Sequence, residues 1–292
     1  MQGYDVARPR PMSGAREAGR PPSPDPLPIP VVDNHCHLDI SRDDATVQPL
    51  EEVVAQARSV GVDRLVQIGS DLTAARWTAR VAVEHPAVLG GVAIHPNEAP
   101  GHEAAGNLDD VIDEIGKLAR HPRVRVIGES GLDYFRTGPE GVAAQHHAFR
   151  RHIALAKEHG LALQIHDRDA HDDVLRILAE EGAPEQTVLH CFSGDMEMAR
   201  ECVRRGYYLS FAGTVTFKNA QGLRNALAVT PLEHLLVETD APYLTPTPHR
   251  GRANAPYLVP LTVRAMAATL ATSVPQLCEA LSATSEAVYG PW

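Results

Sequence analysis

The sequence predicts an α/β protein, a (β/α)8 TIM barrel in a single domain, and three observations carry that expectation. From residue 30 onward, short β-rich apolar runs alternate with longer stretches of helical periodicity, eight times over. Strands separated by helices require a parallel sheet, and eight repeats favour closure over an open doubly wound sheet. No G-x-G-x-x-G or P-loop pattern follows any run, and 292 residues suit a barrel that typically uses ~250 as one domain.

Taken in order, the strands are expected at 30–38, 64–69, 88–94, 124–129, 162–166, 187–191, 207–212 and 235–239. The intervening helices are expected at 49–60, 73–84, 107–120, 141–159, 170–181, 195–205, 219–229 and 256–270, with a final one at 274–288 packed outside the barrel. Asp195 after Ser193-Gly194 reads as a helix opener, and Gly61, Gly160 and Gly206 fall just past helix ends.

Residues 1–29 differ in kind. They are dense in Pro, Gly, Arg and Ser and hold too few apolar residues for a core, so they read as a disordered tail ahead of a barrel at 30–292. The tail lacks the apolar stretch of a secretory signal, and no run of ~18 uncharged apolar residues occurs anywhere. A net charge of -10 argues against a long basic groove for duplex nucleic acid, though not against a phosphate met by cations. Four cysteines without close pairing or regular spacing argue against a disulfide framework and fit a reducing, cytoplasmic setting; no membrane and no obligate protein partner are implied.

Function in such barrels collects at the carboxyl ends of the strands. Strand one ends in Asp33-Asn34-His35-Cys36-His37, strand three in His95-Pro96, and strand four in Gly128-Glu129-Ser130-Gly131-Leu132-Asp133. Strand five ends in His166-Asp167-Arg168, strand six in His190-Cys191, and strand eight in Glu238-Thr239-Asp240. His35 and His37, two apart, share a strand face, with Cys36 on the other. Singly, Glu129 reads as a core-edge carboxylate, His166 and His190 as satisfied barrel histidines, and Asp240 as a turn cap. Together at one mouth they would leave a buried polar cluster without a reason. Metal ligation by His35, His37, Glu129, His166, His190 and Asp240 supplies one, with Zn, Mn, Fe or Co suited to imidazole and carboxylate donors. Cys36 and Cys191 are expected to turn outward as core thiols, and nearly all other histidines read as solvated surface residues.

With these blocks, and with Tyr134 after Asp133, Gln164-Ile165 before His166, Phe192-Ser193-Gly194 after Cys191 and Ala241-Pro242-Tyr243-Leu244 after Asp240, the chain resembles the TatD family of metal-dependent hydrolases among the amidohydrolase-like barrels. The resemblance implies two divalent cations: His35, His37 and Asp240 on one, His166 and His190 on the other, and Glu129 bridging. It implies deoxyribonuclease activity, often 3′ to 5′ on single-stranded DNA, with RNA as a further phosphodiester substrate. Asp240 would then accept a proton from the attacking water, Glu129 would hold both cations, and His95 would compensate the leaving oxygen. Arg168, Arg250 and Tyr134 are the expected substrate contacts. Mg prefers oxygen donors and is expected only as an activating ion. In the loop 250–256, Ala253 and Ala255 replace a basic and an acidic residue common in the family, which bears on substrate choice. The same metal centre would also serve an amide, lactone or ester hydrolase, and a non-catalytic metal-binding protein is the reading from another class.

Overall fold

Alternation along the strands sorts the apolar residues into two sets, one toward helices and one toward a lumen. Val31, Leu65, Ile127, Leu163 and Val237 pack in the outer layer with Phe149, Ile112 and Ile177, whereas Val32, Val66, Val126, Ala162, Val188 and Leu236 form the second cluster. In the computed structural model, which describes residues 19–40 and 48–292, these sets belong to a parallel barrel.

Among the described residues the strands are β1 (Val31–Cys36), β2 (Val62–Gly69), β3 (Val88–Val92), β4 (Val124–Asp133), β5 (Ala162–Arg168), β6 (Thr187–Leu189), β7 (Tyr208–Phe211) and β8 (Leu235–Val237), paired in sequence order. Closure of β8 on β1 is made by the Cys36 and Ala241 bridge and by Asp240 N–H donating to His35 O at 2.9 Å. Asp33 reinforces it, accepting from Thr239 N at 2.8 Å and Thr239 Oγ1 at 2.6 Å. The helices are α1 (Leu50–Ser59), α2 (Leu72–Glu84), α3 (Ala99–Ala104), α4 (Leu108–Leu118), α5 (Val142–His159), α6 (His171–Glu181), α7 (Met196–Arg204), α8 (Gln221–Val229), α9 (Val259–Leu270) and α10 (Val274–Tyr289).

The (β/α)8 expectation holds, as do most element positions. Asp195 caps α7 by accepting from Met198 N at 2.9 Å, and Gly160 ends α5 at φ +61. Three details differ. β4 runs on to Asp133 because its end still pairs with β5 through Gly131 and His166, where any Cβ on Gly131 would lie 2.1 Å from the His166 carbonyl. α3 was not expected; Pro100 supplies its start. β6 stops at Leu189, so Cys191 is not a strand residue: it sits at φ +44, half-buried, and strand alternation does not turn it outward.

The proposed tail needs a correction where it is described. Residues 19–29 lie against the barrel: Leu27 is buried and donates its N–H to Val60 O at 3.0 Å, Tyr257 Oη donates to Pro21 O at 2.6 Å, and Arg264 donates to Asp25 O and Pro26 O. Proline-rich composition removes N–H donors but leaves carbonyls, and the barrel grips those of Pro21, Asp25 and Pro26 in addition to Leu27. Residues 1–18 lie outside the described residues. Among the described residues no single helix is long and apolar enough to cross a membrane.

Candidate metal centre

β1 brings His35 and His37 together with their Nε2 atoms 3.3 Å apart. Each ring is gripped from behind, His35 Nδ1 by Gln164 Oε1 at 2.7 Å and His37 Nδ1 by the Ile68 carbonyl at 3.0 Å. An acceptor at Nδ1 keeps the proton there and leaves the Nε2 lone pair aimed at the cluster. Cys36 points the other way, its Sγ 3.4 Å from Val66 O, as alternation predicts.

Glu129 stands at the centre. Its Oε1 lies 3.3 Å from His37 Nε2 and 3.9 Å from His35 Nε2; its Oε2 lies 3.0 Å from His190 Nε2, 3.2 Å from His166 Nδ1 and 3.6 Å from His95 Nε2. Asp240 Oδ1 is 3.5 Å from His37 Nε2 and 3.9 Å from His35 Nε2. Asp240 takes φ +53 in the turn after β8, a backbone form that Asp tolerates better than most residues. The structure thus brings His35, His37, Glu129, His166, His190 and Asp240 into one cluster, and adds His95.

The electrostatics of this cluster call for positive charge. Burial alone would raise Glu129, yet His95, His166, His190 and His37 hold it well below the carboxylate range. Burial likewise opposes a charged His190, but Glu238 and Glu129 lift it to about 10. Burial, with His190 beside it, keeps His35 well below the usual imidazole value. So Glu129 is held ionised, and the imidazoles of His37, His166 and His190 are pushed toward their charged form around it. A cation would satisfy the same charge, and two overlapping groups, His35-Glu129-His190 and His35-His37-Asp240, each offer donor atoms within 4.8 Å of one another. The donor set fits divalent metal.

His95 differs from the other imidazoles. Its Nδ1 accepts Asn97 N–H at 3.0 Å, so a neutral ring carries its proton on Nε2, the atom facing Glu129. Burial pushes its pKa down to about 3, keeping it neutral. That makes it a hydrogen-bond donor toward the cluster.

The expected substrate contacts sit on the rim. Arg168, at the end of β5, stacks its Cζ 3.9 Å from the Phe135 ring centre, and Arg250, after β8, lies 3.9 Å from that of Phe217. Tyr134 is turned aside: its hydroxyl donates to Asp173 at 2.6 Å and lies 2.5 Å from His146 Nε2. In the loop 250–256, Ala255 is buried and Asn254 Nδ2 donates to the Thr239 and Tyr243 carbonyls. Among the remaining histidines one is a correction: His152 is fully buried, Nδ1 donating to Ala148 O and Nε2 accepting Ile94 N–H.

Sequence reasoning missed the groups that orient the ligands. Glu238 Oε1 lies 3.3 Å from His190 Nδ1 and accepts Cys191 N–H at 2.8 Å; Asp133 Oδ2 lies 3.3 Å from His166 Nε2; Gln164 holds His35. The available signal was alternation: Gln164 precedes His166 by two on β5 and faces the same lumen.

Comparison with known proteins agrees with this geometry. The family model described as "TatD related DNase" matches residues 32–290. A metal-dependent hydrolase TatD of Mycobacterium tuberculosis is 47% identical over 81% of this chain and 89% of that protein. The metal-dependent hydrolase YabD of Bacillus subtilis is 39% identical over 78% and 86%. The crystal structure of YJJV, a TatD homolog from Escherichia coli, superposes with a TM-score of 0.80 at 23% identity, covering 90% of this chain and 98% of that one. With the match running through nearly the whole barrel, the chain belongs to the TatD-related DNase family of metal-dependent hydrolases.

Proposed function

We propose that this chain is a phosphodiesterase that releases nucleotides from the 3′ end of single-stranded DNA, with RNA as a further substrate, at a centre of two divalent cations. One observation carries the reading. The two oxygens of Glu129 divide the donors, Oε1 toward His37 and His35 and Oε2 toward His190 and His166. A carboxylate so placed is suited to bridge one cation held by His35, His37 and Asp240 and another held by His166 and His190. Four imidazoles favour Zn, Mn, Fe or Co as the resident ions, with Mg able to activate.

When bound, paired cations polarise a phosphoryl oxygen and acidify water. The chain's own residues supply the rest. Asp240, whose side chain is 15% exposed against 6% for Glu129, faces the mouth and is the carboxylate placed to accept a proton from the attacking water. His95 presents Nε2–H toward the cluster, where a departing 3′-oxygen needs a donor. Arg168 and Arg250 on the rim hold flanking phosphates. Four free cysteines, three of them buried, accord with a reducing, cytoplasmic setting.

The test is metal analysis of the purified protein, followed by a nuclease assay on 5′-labelled single strands. Metal-dependent ladders shortened from the 3′ end are expected, lost in Glu129→Ala along with the metal, and lost in Asp240→Asn. Hydrolysis of amides, lactones or esters with no cleavage of DNA or RNA would overturn the reading, and so would full activity of Asp240→Asn.

A further inference from the structure

Among the described residues, Val83 and Phe135 are the exposed large hydrophobic side chains, and Phe135, at 64% exposure, follows the end of β4 two residues after Asp133. An exposed phenyl ring at a catalytic mouth has no part in the barrel core. Its position is nonetheless held firmly. Asp133, itself buried, accepts Phe135 N–H at 3.0 Å and Arg136 N–H at 2.8 Å through Oδ1; its Oδ2 accepts Asn97 Nδ2–H at 2.8 Å and lies 3.3 Å from His166 Nε2. Tyr134 N–H donates to Arg168 O at 2.9 Å on the neighbouring strand. One carboxylate therefore holds the turn that presents the ring and lies against a candidate metal ligand.

Arg168 completes the arrangement. It follows His166 by two residues on β5, so it shares the lumen face and sits ~7 Å farther toward the mouth. Many arginines of this acidic chain are paired with carboxylates, among them Arg64, Arg150, Arg151, Arg176, Arg200, Arg204 and Arg205. Among the described residues Arg168 has no carboxylate partner; its guanidinium lies over the Phe135 ring at 3.9 Å. Stacking holds the guanidinium plane while leaving its N–H edge free for an anion. Arg250 over Phe217 repeats this chemistry on the loops after β7 and β8.

We propose that Phe135 and Arg168 form a nucleotide platform beside the metal centre: the open side of the phenyl ring stacks on the base of the 3′-terminal nucleotide, and Arg168 donates hydrogen bonds to an adjoining phosphate. This inference rests on the nuclease reading. Stacking requires a base that has left its duplex neighbours, so the platform selects unpaired ends, and it tolerates all bases because each has a π-face.

The test uses the full-length metal-loaded protein and two 5′-labelled single strands that differ only at the 3′-terminal residue, one bearing a base and one an abasic tetrahydrofuran. The wild type is expected to favour the base-bearing strand by about tenfold in kcat/KM. Phe135→Ala should bring that ratio close to one, and Phe135→Trp should restore it; the ring's exposure leaves folding undisturbed. A strand whose terminal 2-aminopurine nucleotide is joined through a methylenephosphonate that cannot be hydrolysed should lose fluorescence on the metal-loaded wild type and Phe135→Trp and keep it with Phe135→Ala. Metal-dependent cleavage whose base-to-abasic ratio and quenching survive Phe135→Ala overturns the platform alone. Absence of metal-dependent cleavage of both strands overturns the nuclease reading and the platform with it.

Discussion

The imidazole rings of His35 and His190 stack in parallel, 3.8 Å between centres and 9° between planes. One ring comes from β1 and the other from the turn after β6, and each is gripped at Nδ1, by Gln164 Oε1 and Glu238 Oε1 respectively. Two flat donors in face-to-face contact leave each other little rotational freedom. The Nε2 atoms are thereby aimed before any cation arrives, and the groups behind the rings become the sensitive points of the site.

Glu238→Gln tests that directly. Glutamine keeps the length and the acceptor for Cys191 N–H but removes the charge behind His190. Loss of such an outer partner lowers metal affinity or activity by roughly 10- to 100-fold. Competition with a chelating dye reads the affinity, and circular dichroism checks the fold; undiminished affinity would mean that the ring stack alone orients His190.

Tyr289→Phe probes the same device from the far side. Gln164 Nε2 donates to Asn34 O and to Tyr289 Oη, both at 2.8 Å. Removing the hydroxyl strands a buried N–H, at a cost of about 1–3 kcal/mol. Urea denaturation should show a lower midpoint at an unchanged m-value.

Residues 19–29 are expected to contribute stability. Leu27 is 7% exposed and packs at Gly61, where an added Cβ would sit 3.0 Å from Leu27 Cβ. Leu27→Ala should cost about 2 kcal/mol and lower Tm by roughly 5 °C. A thermal melt identical to wild type would show that this segment is not held in solution.

The thiols give a pH signature. Burial raises Cys202 to about 12 and Cys278 to about 11, from an ordinary value near 9. Above pH 9 the unfolded chain sheds these protons while the folded one keeps them, so the contribution is full below pH 9 and is lost as pH climbs toward 11–12. Other groups also titrate over this range, so the thiol share is read by difference: Cys278→Ala should lose less Tm between pH 9 and 11 than the wild type does. Iodoacetamide at pH 7.5 should label the two cysteines only after unfolding.

The barrel and the six-residue cluster were legible because both follow from short-range rules. Alternation put His35 and His37 on one face, and strand-end residues converge on one mouth in any such barrel. Glu238 was not legible as the partner of His190, nor Gln164 as that of His35, because such pairs depend on which residues neighbouring strands set side by side; the second pair lies 129 residues apart in sequence. His152 was misread because helical periodicity does not reveal that one face of α5 meets the Ile94 backbone. The segment 19–29 was misread because composition counts apolar residues and overlooks carbonyls that α9 and its approach can hold.

Gln164 joins Asn34, 130 residues before it, to Tyr289, 125 residues after it, and its other amide atom holds His35. During synthesis, the earliest-made ligand therefore emerges long before the residue that steadies its brace. The brace behind His35 is thus complete only once residue 289 has been made, so native alignment of that ring requires nearly the whole barrel sequence.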